Sequence, residues 1–103
     1  MAAMPEARLS TVAPGRCQLS GELDFATAPA LWRQGDQILG AQVGGAVEVD
    51  LSGVTHSDSA GLALLVAWQS QAQAAGVALR YAALPDRLVA IAKISRVESL
   101  LVG

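Results

Sequence analysis

Val49-Asp50-Leu51-Ser52-Gly53-Val54-Thr55-His56-Ser57-Asp58-Ser59-Ala60-Gly61-Leu62-Ala63-Leu64-Leu65 passes from a β-like run, through a polar segment, straight into an apolar helix. Ser59 stands at the junction, with Asp58 before it and Ala60-Gly61 after it. A hydroxyl placed there lies at the positive end of the helix dipole, where a phosphate is tolerated or a partner can read the surface. No base, metal-ligand or cofactor motif accompanies it. The junction reads as a switch or docking point rather than a catalytic centre.

The chain organises itself around this junction. Residues 1–7 are expected to be frayed. Arg8 to Val12, Ala13-Pro14-Gly15 and Arg16 to Leu23 read as a hairpin, because Pro-Gly marks a turn between two β-like runs. In the second run Cys17, Leu19, Gly21 and Leu23 alternate with Arg16, Gln18, Ser20 and Glu22, so one face is packed and the other partly wet. A helix is predicted from Thr27 as N-cap, with Pro29 in the first turn and Leu31, Trp32, Ile38 and Leu39 on its apolar side. Gly40 and Gly44-Gly45 break the chain, and Ala46 to Leu51 is a predicted strand with Val47, Val49 and Leu51 on one face. The polar segment follows as a loop. Next come a helix over 59–75 stopped by Gly76, a strand over 77–82, and a helix from Pro85 or Asp86 with Leu88, Ile91 and Ile94 at helical spacing. Val97 to Gly103 reads as a short helical turn or tail.

The order β-β-α-β-α-β-α implies an α/β fold with right-handed crossovers. The expected sheet is mixed, mostly parallel and of about four strands. Its alternating rather than uniformly apolar strands put the helices mainly on one face. At 103 residues the chain is a single domain, 1–103, with room for one core.

Composition narrows the function classes. Hydrophobic residues make up 52% and charged residues 16%, with a mean hydropathy of +0.40. The excess reads equally as an Ala-rich core or as surface that a partner covers. Net charge is −2 without a basic cluster, so no nucleic acid or anionic membrane surface is expected as partner. The apolar runs fall well short of the ~20 residues that span a bilayer. Glu6 and Arg8 interrupt the first fourteen residues, which lack the apolar centre of a signal peptide. The single cysteine, Cys17, suits a reducing compartment, and a cytoplasmic location is expected.

Ser57, Asp58 and Ser59 all carry side chains that cap helices, and one of them must satisfy the first N–H groups of the following helix. Gly61 answers either a close backbone approach or helix packing against the sheet. Asp50 either accepts a hydrogen bond from the loop or is simply solvated. His56 is the only histidine, so a metal site lacks ligands and the residue faces solvent or a partner. A Ser59-His56-acid arrangement has no G-x-S-x-G elbow around the serine, and no phosphate-cradling glycine motif occurs. Neither a cofactor nor a small-molecule substrate is expected. Trp32 is assigned to the core, while Trp68 is open between core and an interface anchor.

Asp50-Leu51-Ser52 followed by Asp58-Ser59-Ala60-Gly61-Leu62 resembles the STAS domain, the fold named for sulfate transporters and anti-sigma-factor antagonists. Leu19 to Leu23 with Asp24, Pro29-Ala30-Leu31-Trp32 and Gly61 to Leu65 extend the likeness to about Ser95. Within the family the chain looks most like the small stand-alone STAS subunit of Mla-type phospholipid-transport ABC systems. The resemblance implies a non-enzymatic cytoplasmic accessory subunit that binds and supports the transporter's ATPase. It would reach the membrane permease only indirectly, would not insert in the membrane itself, and would serve outer-membrane lipid asymmetry. Ser59 then matches the residue phosphorylated in sigma-regulating relatives. Asp58, His56, Ser57 and the first helical turn through Ala60, Gly61 and Leu62 line the contact. The other reading is an anti-sigma factor antagonist switched by phosphorylation of Ser59. Sigma-regulating relatives carry a second Ser or Thr where this chain has Ala60, which favours the transporter subunit. The chain also ends soon after the third helix, so a short or missing fourth helix is expected.

Overall fold

Pro14-Gly15 closes the first hairpin: β1 (Ala7–Ala13) and β2 (Arg16–Leu23) pair antiparallel with Leu9 opposite Leu19. The computed structural model describes residues 7–42 and 44–101. The expected fraying therefore falls, for residues 1–6, outside the described residues, and Ala7 already belongs to the strand. Gly15 takes φ +72 at the turn, a conformation that strains any residue with a Cβ. The chain continues through α1 (Ala28–Ala41), β3 (Ala46–Ser57), α2 (Ser59–Ala75), β4 (Ala78–Ala82), α3 (Asp86–Ile94) and a single turn, α4 (Glu98–Leu101). The strands lie in the order β1-β2-β3-β4, and β2, β3 and β4 run parallel. The predicted α/β order and mixed sheet are observed.

The period-two alternation decides which face the helices cover. Cys17, Leu19, Leu23, Val47, Val49, Leu51 and Leu79 are buried beneath α1 and α2, whereas Gln18, Ser52 and Arg80 on the alternate positions are exposed. On that open face the register sets Arg16 beside Glu48 and Glu48 beside Arg80, so opposite charges meet across three strands. The N–H of Leu9 on edge strand β1 donates to Gln34 Oε1 of α1 at 3.2 Å, which occupies one of the donors an edge leaves open.

The strand predicted to end at Leu51 runs on to Ser57, and the expected loop is strand. The register explains how. Between Gln18↔Asp50 and Ser20↔Gly53, and again between Gly21↔Val54 and Glu22↔His56, β3 gains one residue on β2. These are two bulges, and each reverses the face on which later side chains fall. At the first, the Asp50 carboxylate accepts the Ser52 N–H at 2.8 Å, so Asp50 does hold the chain. That backbone donor holds its carboxyl below the usual carboxylate range.

α2 is the centre of the core. Leu65, Trp68 and Ala72 are buried, and two polar ties fix the helix to β4: Tyr81 donates its hydroxyl to Leu65 O at 2.6 Å, and Gln69 Nε2 donates to Leu79 O at 3.0 Å. Burial pushes the Tyr81 phenol far above its ordinary range. Gly76 ends α2 at φ +72, with Val77 N–H reaching Ala72 O at 2.8 Å, as its position in the sequence predicts. Of the two tryptophans, the core assignment of Trp32 fails and the choice left open at Trp68 falls to the core. Trp68 is core at 2% exposure, and Trp32 is 38% exposed. Ile94, expected on the apolar side of α3, is 85% exposed, while Leu88 and Ala92 are buried. Thr27 sits at the N-cap position without capping. Its backbone is already helical and its Oγ1 turns inward, donating to Glu22 O at 2.7 Å.

α3 closes with the same backbone pattern as α2, but Arg96 occupies the left-handed position at φ +59 where α2 has glycine. An L-residue there costs about 1–2 kcal/mol. Arg96→Gly is expected to raise stability by about 0.5–1 kcal/mol, since glycine returns part of that gain as chain entropy. Urea denaturation of the two proteins checks it, and a lower midpoint for the variant contradicts the strained backbone.

Candidate functional site

The extension of β3 delivers the chain directly to α2, with only Asp58 between them. Asp58 is the residue that caps. Its Oδ1 accepts the N–H groups of Ala60 at 2.9 Å and Gly61 at 3.0 Å, while Oδ2 receives Phe25 N–H at 3.4 Å. Its own N–H donates to Leu23 O at 3.3 Å, and its carbonyl starts the helix by accepting Leu62 N–H at 3.1 Å. Asp58 thus joins three segments: its backbone N–H holds the end of β2, and its carboxylate holds the loop before α1 and the start of α2.

Capping by Asp58 leaves the Ser59 hydroxyl with nothing to hold, and the residue is exposed. His56 is exposed one bulge earlier. The other four candidates separate from them. Ser57 is 2% exposed. Leu62 belongs to the core and Gly61 is buried, while Ala60 is half-buried. A Cβ at Gly61 would overlap the Leu23 carbonyl oxygen, so the first turn of α2 rests directly on the β2 backbone. Ser57, Gly61 and Leu62 therefore set the position of the site from beneath, and Ser59 and His56 form its surface.

Two contributors escaped the sequence reading. Phe25, whose amide binds the Asp58 carboxylate, is 81% exposed. Arg87, at the start of α3, donates Nε to Ser57 O at 2.8 Å across 30 residues. The tightness of the Asp24 turn was the available signal for Phe25. Asp24 Oδ1 accepts Ala26 N–H at 3.0 Å and Thr27 N–H at 3.2 Å, and such a turn throws the intervening side chain outward. Nothing local in the sequence points to Arg87.

α1 and α2 lie parallel and in step. Phe25 meets Asp58 at a separation of 33 residues, and Asp36 Oδ1 accepts Gln71 Nε2 at a separation of 35. Between these contacts Gly35 packs against the Trp68 indole. The outer seam of the pair runs from Phe25 and Ser59 past exposed Pro29, Trp32 and Ala63 and half-buried Ala67 to Asp36. Among the described residues no cluster of His, Cys, Asp and Glu is placed to hold a metal, and no helix is long and apolar enough to cross a membrane.

The roles of Asp58 and Ser59 separate in mutation. Asp58→Ala removes the cap and is expected to cost about 1–2 kcal/mol. Ser59→Ala, at an exposed position without a bond to lose, should stay within about 0.5 kcal/mol of the parent. Thermal unfolding of both variants measures the difference, and equal losses would contradict the capping assignment.

The fold matches solved structures across nearly its whole length. The unphosphorylated anti-sigma factor antagonist SpoIIAA superposes with a TM-score of 0.71 at 13% identity, covering 93% of this chain and 85% of that one. An anti-sigma factor antagonist from Mycobacterium paratuberculosis gives 0.68 at 22% identity, covering 95% and 83%. The murine Slc26a9 anion transporter gives 0.61 at 20% identity, with 80% of this chain covering 14% of that protein. At these identities the likeness is one of fold. Among curated protein sequences none matches the chain. The family described as "Mlab, STAS domain" matches residues 8–103, and the chain belongs to it.

Proposed function

We propose that the protein is a non-enzymatic accessory subunit that binds the ATPase of a phospholipid-transport ABC complex through the Ser59 junction. The observation that carries this reading is an exposed hydroxyl on a rigid platform: Asp58 and Gly61 lock the first turn of α2, yet Ser59 takes no part in holding it. Exposed polar groups with no structural duty, set on rigid elements beside an exposed aromatic, are what recognition surfaces are made of. His56 belongs to the same surface. Belonging to the Mlab STAS family supports the transporter as the setting, with association at the inner membrane arising through the complex. Affinity purification of the tagged protein from its own host tests this. The ATP-binding-cassette subunit should be retained by the parent protein and lost with Ser59→Arg. Its absence from the parent's eluate counts against the reading.

The second reading, an antagonist switched by phosphorylation of Ser59, rests on the accessibility of that hydroxyl. Geometry weighs against it, because a phosphate on Ser59 would add about −1.5 to −2 charges beside the Asp58 carboxylate already seated on the helix donors. Incubation with the host's serine kinases should leave Ser59 unlabelled. Stoichiometric labelling that releases a bound partner would reverse the order of the two readings.

A further inference from the structure

The peptide between Ser57 and Asp58 is gripped from both sides. It is trans, so its N–H and C=O point in opposite directions across β3. The N–H donates to Leu23 O of β2 at 3.3 Å, and the C=O therefore faces the flank on which β4 lies. β4 has already stopped by this level. Its last residue, Ala82, stands opposite Asp50, so residues 51–57 continue with no strand on that flank. Arg87 stands where a further strand residue would, and its Nε donates to Ser57 O at 2.8 Å. No other arginine side chain is fixed by a hydrogen bond to a described residue. Nε–H is one donor of five. The two Nη nitrogens make no hydrogen bond or ion pair with a described residue, and Arg87 is exposed. The nearby Asp58 carboxylate does not engage them, since the N–H groups of Ala60, Gly61 and Phe25 take it up.

We infer that the Arg87 guanidinium is a recognition group of the Ser59 junction, and that the partner meets it with the carboxylate of an aspartate or glutamate. The inference rests on the reading that this junction binds the ATPase, and adds which charge the partner presents and on which flank. An arginine held through Nε keeps its Nη edge in one orientation, and that edge matches the two oxygens of a carboxylate. Part of the side-chain freedom that binding would remove is already lost on folding. The two bonds also give the junction a direction. Arg87 is fixed to Ser57 O on the flank away from β2, while Phe25 is fixed to Asp58 on the β2 flank. Charge selects a carboxylate over a phosphate. A phosphate monoester brings about −1.5 to −2 charges, and Asp86 beside Arg87 and Asp58 beside Ser57 oppose the second of them.

Binding of the full chain to the purified ATP-binding-cassette subunit of its own host, measured at ~0.1 and ~1 M salt, tests this, because the screening length falls from ~10 to ~3 Å between the two. The parent should bind, and more weakly at high salt. Arg87→Gln keeps an N–H donor for Ser57 O and loses the charge. It should bind at least about tenfold more weakly at low salt and lose most of the salt dependence. Arg87→Lys keeps the charge without the fork, so it should bind more weakly than the parent and keep the salt dependence. If both variants weaken alike and retain the parent's salt dependence, Arg87 acts only by holding Ser57 O and the carboxylate is overturned. Undiminished binding by Arg87→Gln overturns it as well. So does a parent whose binding is indifferent to salt, a result that needs no variant to fold. A parent that does not bind the subunit overturns the ATPase reading and this inference with it, whereas the other three outcomes leave the ATPase reading standing.

Discussion

Replacing Gly61 by alanine is expected to lower stability by about 3 kcal/mol, the upper part of the range for forcing an extra carbon into a packed site. The reason is what stands opposite. An added methyl would overlap the Leu23 carbonyl oxygen and crowd the Leu23 side chain, itself fully buried. Backbone at the end of β2 has no rotamer to give, so α2 must lift from the sheet. Lifting it strains the Asp58 bonds to Ala60, Gly61 and Phe25 together. The loss therefore reaches the surface, and partner retention should fall although the Ser59 hydroxyl is intact. Urea denaturation and affinity purification of the same variant measure the two effects. A cost below about 1 kcal/mol would show that the first turn of α2 does not rest on β2 as described.

Trp68→Ala is expected to cost about 3–5 kcal/mol, as large aromatic truncations in cores do. Trp68 is 2% exposed and fills the space between α1, α2 and the sheet. Its Nε1–H is buried without an acceptor among the described residues, so tryptophan is present for its bulk rather than its donor. Trp68→Phe should consequently cost far less than Trp68→Ala. The glycine opposite gives a sharper check. In the parent protein Gly35→Ala drives a methyl into the indole ring and is strongly destabilising. In the Trp68→Ala background the obstacle is gone, and alanine's better helix propensity, worth about 1 kcal/mol, favours the same substitution. The effect of Gly35→Ala should change sign between the two backgrounds. Additive losses in the double variant would refute the contact.

Much of this architecture is legible where a local signal coincides with the global fold. Pro14-Gly15, Gly76 and the alternation from Arg16 to Leu23 each say the same thing at the level of backbone and of burial. The reading fails where tertiary context overrides a local rule. Residues 52–57 look like a loop because they are polar and break the period of two, yet two bulges produce that break inside a continuous strand. Thr27 has the chemistry of a cap, but its hydroxyl is drawn inward to Glu22 O. Trp32 reads as core and Trp68 stays open because the flanks of both helices are rich in alanine and glutamine, which leaves the apolar pattern faint. At the site, the capping residues could be narrowed to three from sequence alone, and choosing Asp58 needed its three backbone partners. Arg87 was hidden because its bond to Ser57 O joins residues 30 apart.

The strands stand in space in the order in which they occur along the chain. No strand has to be threaded between two that are already paired. As synthesis proceeds, each newly emerged strand finds the growing edge of the sheet open to receive it, and each later helix arrives over strands already assembled. A nascent chain can therefore build this domain by successive addition from the N-terminus, with little need to undo earlier pairings.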